Sequence, residues 1–303
     1  MTDCRAPRLG DRVSVVIVTR NRHETLRTTL AELVAWRDAP GIIVVDDASA
    51  DRTAQMVAHE FPLVDLIARN RWEGPVARNH GLQRARTPYV AFTDDDCRWQ
   101  PGALDRAADL LDRHPRMAVV AAQIAVGAEA HIDPICVEMA RSPLAGDRSL
   151  PGVPVMSFMG GAAIVRRAAV SAVGGFEPRL MAGGEEEPLA CDLVTAGWDL
   201  RYVAEVVVHH YPVGGDRDFD RMLGIRNALW FAWRRRPLAS ALRWTVYMLR
   251  TVPFNRRSMI ALVQALRGLP WVLATRRPVP PDVEARLRAL DRQKMRSEAR
   301  TYG

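Results

Sequence analysis

Over the first two thirds of the chain, apolar runs of β-branched residues alternate with stretches whose apolar positions recur at helical spacing. The run Val13-Ser14-Val15-Val16-Ile17-Val18 holds too few polar residues for a half-exposed strand, so it predicts a strand covered on both faces. The polar turn Thr19-Arg20-Asn21-Arg22 follows, and Leu26, Leu30, Leu33 and Val34 then mark a helix. Ile42-Ile43-Val44-Val45 predicts a second buried strand that ends in Asp46-Asp47-Ala48-Ser49-Ala50-Asp51. This polar turn can cap the next helix, marked by Thr53, Met56, Val57 and Phe61. Strands alternating with helices in this way predict an α/β fold with a parallel sheet and right-handed crossovers.

Further strands are expected at residues 64–67, 89–93 and 117–122, with a helix over 103–113. Another helix should open in 74–81, where Pro75 falls near the first turn and its missing N–H does no harm. Residues 126–154 carry Gly, Pro and Asp at short intervals and predict a long excursion over one face. A strand at Ile164-Val165 follows small residues that let something approach the backbone. After the turn Gly174-Gly175-Phe176, residues 183–188 open a helix through Leu189, Leu193 and Val194 that stops at Gly197. Late strands at 201–203 and 206–208 are closed by His209 and His210. Beyond Pro212 come long Arg- and Trp-rich helical segments, a proline linker and a charged helix from Asp282. The expected division is a catalytic body of residues 1–212 and a helical extension of 213–303.

Charge sharpens that division. The formal net charge is +7, but residues 212–303 hold 19 Lys and Arg against 7 Asp and Glu, which leaves the rest of the chain acidic. Catalysis and attachment are therefore expected in different parts of the chain. Hydrophobic (48%) and charged (25%) content is that of an ordinary globular protein. Cys4, Cys97, Cys136 and Cys191 form no Cys-x-x-Cys pair, which argues against a zinc knuckle or a disulfide framework and fits a reducing, cytoplasmic setting. Residues 1–11 lack an apolar core, so no secretory signal is expected, and no uninterrupted run of 18 apolar residues predicts a membrane span.

The candidate chemistry sits at the end of the fourth strand, where Tyr89-Val90-Ala91-Phe92-Thr93 runs into Asp94-Asp95-Asp96. Ligands of open α/β sheets bind beyond the carboxyl ends of the strands. Three adjacent carboxylates repel one another unless a cation intervenes, and a hard divalent ion such as Mg²⁺ prefers carboxylate and phosphate oxygens. A metal-diphosphate site is one reading; a solvated acidic turn leading to the helix after Pro101 and Gly102 is the other.

Four motifs in order, Val-Ile-Val-Thr-Arg-Asn-Arg, Val-Val-Asp-Asp-Ala-Ser-Ala-Asp, Ala-Arg-Asn-His-Gly and Phe-Thr-Asp-Asp-Asp, resemble glycosyltransferase family 2 over about residues 13–212. The resemblance implies a GT-A-like, Rossmann-type, mostly parallel sheet flanked by helices, and inverting transfer from a UDP-, GDP- or dTDP-linked sugar to a hydroxyl acceptor. It implies Thr19 and Arg20 flanking the base, Asp47 on base or ribose, and Arg78 toward base or diphosphate, with Asn21, Asp46 and Asp95 in the same donor-binding set. Asp94 and Asp96 would be the ends of an Asp-x-Asp motif, on ribose and on Mg²⁺ or Mn²⁺. The family's general base falls within Glu185-Glu186-Glu187, with Glu186 at the usual position and Glu185 beside it. Pro188 departs from an otherwise acidic position and leaves the choice among the three open. A late histidine near the metal would be His209 or His210, with His210 preferred, and Gly160 and Gly161 would line the acceptor side. The plainer readings are acidic residues favoured at a helix start and a histidine at a strand end.

In the extension, Leu238, Ala241, Leu242, Thr245, Val246 and Leu249 form one helical stripe, and Met259, Ile260, Leu262, Val263, Leu266 and Leu269 another. Arginines interrupt both, which suits a helix lying on an anionic membrane surface and hence a lipid-linked acceptor; a cap on the sheet or an oligomer contact fits the same pattern. An inactive module binding membrane or nucleic acid is the alternative from another class, though the acidic body and the lack of a recognised motif argue against nucleic acid. A nucleotidyltransferase would want a glycine-rich basic loop after the first strand, and residues 19–22 contain no glycine.

Overall fold

The computed structural model describes residues 8–214 and 217–295. A short helix α1 (Leu9–Arg12) leads into β1 (Val13–Thr19), α2 (His23–Val34), β2 (Gly41–Asp46), α3 (Thr53–Glu60) and β3 (Asp65–Ala68). A 3-10 turn (Gly74–Ala77) enters α4 (Arg78–Arg84), followed by β4 (Tyr89–Asp94), β5 (Cys97–Trp99), α5 (Ala103–Arg113) and β6 (Met117–Val126). The excursion contains β7 (His131–Ile132), α6 (Pro134–Ala140) and β8 (Val153–Pro154). Then come β9 (Ala162–Arg166), α7 (Arg167–Ala172), α8 (Glu186–Thr195) and β10 (Asp199–His210). The extension is α9 (Arg217–Arg235), α10 (Leu238–Thr251), α11 (Arg256–Ala274) and α12 (Pro281–Lys294).

The fold is α/β, built on one sheet in the order β3-β2-β1-β4-β9-β6-β10-β5, with β7 beside β6 and β8 beside β10. Strands β3, β2, β1 and β4 are parallel. Their side chains are buried on both faces from Val13 to Ile17 and from Val90 to Phe92, as the continuous apolar runs require. β9 runs antiparallel between β4 and β6, a reversal that periodicity does not carry. The two late strands expected at 201–203 and 206–208 are one strand, β10, interrupted by an irregularity between Val203 and Val207. α6 lies within the stretch expected to be irregular. Its start is nonetheless written in the chain: the Asp133 side chain accepts from Ile135 N at 2.9 Å and Pro134 takes the first turn, a cap worth about 1 kcal/mol.

The register sets Thr19 opposite Asp46 and Val18 opposite Asp94, so β1, β2 and β4 discharge their polar ends along one edge. α4 lies close over β1. A Cβ on Gly81 would sit 2.2 Å from Val16 Cγ1, so glycine is what lets the helix carrying Arg78 approach the sheet.

The extension packs against the body through a second apolar cluster, in which Met222, Leu223, Ile225 and Leu229 of α9 meet Met248, Ala261, Ala265 and Ala182. A third cluster joins Val279, Val283 and Leu287 to Leu144, Met156 and Cys191.

Candidate active site

The three aspartates after β4 point to three environments. Asp94 has the open side chain, 47% exposed, and accepts from Arg78 Nη2 at 2.8 Å. Asp95 turns inward, where Thr19 Oγ1 donates to its Oδ2 at 2.6 Å and its own carbonyl receives Thr29 Oγ1 at 2.6 Å. Burial pushes the Asp95 carboxyl up to about 7 despite the Thr19 bond and nearby Arg22. Asp96 faces His210 Nε2 at 3.5 Å and Arg22 Nη1 at 3.6 Å. Burial opposes its charge, but His210 and Arg22 outweigh that and hold it below the ordinary carboxylate value; Asp96 in turn raises His210.

Arg78 is the hub. It is buried in α4 and reaches Asp94 on one side and Glu185 Oε1, 3.3 Å from Nη1, on the other. Burial works against its charge, and Asp94, Glu185 and Glu186 more than compensate. Glu185, just before α8, is buried and its Oε2 makes no hydrogen bond. Burial and the neighbouring Glu186 push Glu185 up to about 8. Glu186 is raised as well, by burial first, and its Oε1 accepts from Gly160 N at 2.9 Å. Glu187 lies in the first turn of α8.

Gly160 and Gly161 lie beside both carboxylate groups. A Cβ on Gly160 would fall 2.5 Å from Arg78 Nη1, and one on Gly161 would fall 2.1 Å from Asp94 Oδ2. Only residues without side chains allow β9 to start this close to the hub.

The residues expected on the base and ribose gather along the loops after β1 and β2, most of them bonded within the protein. Asp47 is buried and its carboxylate accepts the backbone N–H groups of Glu73 (2.9 Å) and Gly74 (2.7 Å). Asp46, also buried, accepts from Ser49 N. Asn21 takes a left-handed conformation (φ 54°), donates from its backbone N to Ser49 Oγ and accepts from Ala50 N, tying the loops after β1 and β2 together. The Arg20 guanidinium lies 4.9 Å over the exposed Trp72 ring. Thr19, Asp46, Asp47 and Asn21 thus shape this edge through bonds within the protein, while Asp94 and Arg20 face outward.

Three contributors had no role assigned from the sequence, although Arg22 and Asn79 lie within the quoted motifs. Arg22 Nη1 and Nη2 donate to the carbonyls of Val213 and Gly214, each at 3.1 Å, fastening the chain after β10 beside the aspartates. Asn79 exchanges hydrogen bonds with the backbone of Phe176, which holds the glycine turn under α4. Asn227 of α9 is buried and donates to the carbonyls of Leu180 and Ala182 at 2.8 Å and Gly183 at 2.9 Å. It steadies the loop that presents Glu185 and Glu186, so the extension also braces the site. For Asn227 a polar residue within an otherwise apolar helical face was the available signal.

A divalent ion fits one place among the described residues. Asp96, Cys97 and His210 each bring a ligating atom within 4.8 Å of the others. The Cys97 sulfur is a soft donor that hard Mg²⁺ or Mn²⁺ takes poorly. Asp96 oxygen and His210 nitrogen remain, a donor set that suits Mg²⁺ or Mn²⁺ with phosphate and water completing the shell. His210 therefore stands at this place. His209 instead stacks its ring 6.4 Å from that of Tyr211.

The family model for glycosyl transferase family 2 matches residues 14–174. The chain belongs to glycosyltransferase family 2. It is 34% identical over 210 residues to the pre-mycofactocin glycosyltransferase of Mycobacterium tuberculosis, a match covering 65% of this chain and 42% of that protein. The chain thus spans less than half the length of that curated relative. It is 26% identical over 287 residues to the N-acetylglucosaminyl-diphospho-decaprenol L-rhamnosyltransferase of the same organism, covering 78% of this chain and 90% of the relative. Among solved structures, a mannosyltransferase from Pyrobaculum calidifontis in complex with GDP-Man and Mn²⁺ superposes with a TM-score of 0.59 at 19% identity, over 95% of this chain and 88% of the other. At that identity the likeness bears on the fold, which is that of GT-A glycosyltransferases.

Proposed function

We propose that this chain transfers a sugar, with inversion, from a UDP-, GDP- or dTDP-linked donor to a hydroxyl acceptor, and that it uses a divalent metal. The observation that carries this reading is the placement of buried Arg78 between Asp94, at the exit of β4, and Glu185, at the start of α8. One cation thereby ties a donor-side carboxylate to the acceptor-side pair, and two glycines keep the gap between them clear.

In this reading Asp96 and His210 hold Mg²⁺ or Mn²⁺, with Asp94 turned toward the same opening. The bound ion supplies positive charge against the diphosphate of the leaving nucleotide. Glu186 is the general base, oriented by the Gly160 N–H on its Oε1. Its raised proton affinity suits removal of a hydroxyl proton near neutral pH. The acceptor oxygen attacks the anomeric carbon as the bond to the diphosphate breaks, and the configuration inverts. Glu185 positions Arg78 in this scheme. The donor's base and ribose lie along Thr19, Arg20, Asn21 and Asp47, held by the loop bonds described above.

The acceptor we favour is a lipid-linked hydroxyl compound of cell-envelope glycan assembly; the name of the rhamnosyltransferase relative gives a diphospho-decaprenol-linked sugar as that protein's acceptor. Catalysis is assigned to residues 1–212 and attachment at the cytoplasmic face of a membrane to 213–303. No described helix is long and apolar enough to cross a membrane.

The test is a thermal-shift titration of UDP, GDP and dTDP with Mn²⁺. A ligand at 100 times its dissociation constant stabilises by about 2.7 kcal/mol, which is readily seen. Asp96→Asn should abolish the Mn²⁺-dependent part of that stabilisation and keep the fold; an unchanged Mn²⁺ dependence would overturn the metal assignment.

A further inference from the structure

Helices α10 and α11 each bury one face against α9 and leave an apolar face bare. On α10 the covered positions are Ser240, Ala241 and Met248. Leu238, Leu242, Val246 and Leu249 lie exposed, between 45% and 59%. On α11 the covered positions are Ser258, Ala261, Ala265 and Val272. Met259, Ile260, Val263, Leu266 and Leu273 stand outside, Leu266 at 68%. The turn between the helices carries Phe254 at 93% exposure. Scattered surface leucines need no explanation, but aligned stripes on two successive helices with an aromatic at their junction do.

Charge identifies the occupant. From Leu238 to Ala274 the chain has five arginines, at 243, 250, 256, 257 and 267, and no Asp or Glu. Arg243, Arg250, Arg256 and Arg267 are exposed together with the apolar stripes. A protein partner made of a second copy would bring this acid-free surface against itself, with like charges facing. An anionic bilayer offers phosphates to the arginines and acyl chains to Leu and Phe at once, with arginine stems lying along the boundary. Neither helix can span: both are interrupted by arginine, and no membrane-crossing window is found among the described residues.

We propose that α10, the Phe254 turn and α11 form a surface that inserts shallowly into an anionic lipid bilayer. The proposal rests on the reading that the chain works beside a membrane. It gives that contact a definite surface, and gives α9 two roles: its Asn227 braces the Glu185–Glu186 loop while α10 and α11 pack on it. Docking would therefore hold the acceptor side of the site at a fixed height above the lipid.

The experiment is co-sedimentation of the full chain with vesicles of phosphatidylcholine alone and with 30% phosphatidylglycerol, at about 0.1 and 0.5 M NaCl, a range over which screening of surface charge rises. The expected result is binding to the anionic vesicles that falls at least tenfold at high salt. Phe254→Ser combined with Leu249→Ser, and separately Arg243→Gln combined with Arg250→Gln, should each weaken that binding at least tenfold; all four residues are exposed, so folding is spared. The same preparations titrated with Mn²⁺ and nucleoside diphosphates should bind as the unaltered chain does. Failure of the unaltered chain to bind Mn²⁺ and nucleoside diphosphate would overturn the catalytic reading alone, whereas loss of that binding only in the variants would overturn the claim that these side chains serve lipid docking and not the fold. No sedimentation with anionic vesicles at low salt, or binding indifferent to both pairs of substitutions, would overturn the proposal. So would a salt-resistant dimer in solution that either pair dissolves.

Discussion

Among the buried arginines of the described residues, Arg236 and Arg78 each bond two carboxylates, and they are built differently. Arg236, at the end of the α9 segment, meets Glu284 through two bonds of 3.0 Å and Asp291 through bonds of 2.9 and 2.8 Å. Burial works against its charge, and the two acids more than compensate, holding Arg236 above its ordinary value. Each guanidinium nitrogen there has a carboxylate partner, and the cluster locks α12 to the end of α9. Arg78 faces a larger negative neighbourhood with fewer bonds: one of 2.8 Å to Asp94 and one of 3.3 Å to Glu185. Its Nε and the Glu185 Oε2 are buried without partners. An isolated fold gains nothing from such a remainder, since an unmet buried polar atom costs about 1–3 kcal/mol. The proposed binding of a charged donor beside Arg78 would give it a use.

The comparison can be broken at its catalytic end first. Glu186→Gln keeps the size and the Gly160 bond but cannot take up a proton. Turnover should fall by about 10²–10⁴-fold while nucleoside diphosphate affinity holds. If steady-state kinetics find Glu185→Gln inactive and Glu186→Gln active, the two glutamates exchange roles.

Next in size is the lock. Arg236→Met leaves Glu284 and Asp291 facing each other in a buried setting, and should cost about 3–5 kcal/mol in chemical denaturation. Replacing Glu284 and Asp291 by Leu in the same chain should return most of that stability, with turnover per folded molecule intact. Arg78→Met with Glu185→Leu should likewise refold, yet show no turnover. Activity in that double variant would erase the distinction between the two clusters.

The smallest effect is a pH slope. Glu185 in the folded protein is raised to about 8, whereas unfolded it titrates near the ordinary 4.5. The folded state therefore binds the proton more tightly. Its contribution to stability is complete below about pH 4.5, declines as pH rises, and is gone above about pH 8. Denaturation midpoints at pH 5, 6.5 and 8 should show a steeper decline for the unaltered chain than for Glu185→Gln. Parallel declines would mean that Glu185 is already ionised in the folded protein at the low end.

Much of this architecture was legible in the chain because buried parallel strands need uninterrupted apolar runs, and Val13–Thr19, Gly41–Asp46 and Tyr89–Asp94 have them. The polar turns after those strands marked the edge that holds the candidate site for the same reason: a buried strand can end in charge only where it leaves the core. The order of strands was not legible. β9 enters between β4 and β6 in reverse, and hydrogen bonding between strands distant in sequence carries no local signature. Nor could spacing say which aspartate is open. Asp94 faces Arg78 of α4 and Asp95 faces Thr19 at the end of β1, a fact of packing. Arg22 illustrates the limit most plainly. Its partners at Val213 and Gly214 lie some 190 residues along the chain, and only the closed fold brings them to it. Composition alone assigned basic charge to the extension. Tertiary structure decided that Asn227 within it would reach back to the loop beside the glutamates, since a buried amide must find carbonyls wherever the packing leaves them.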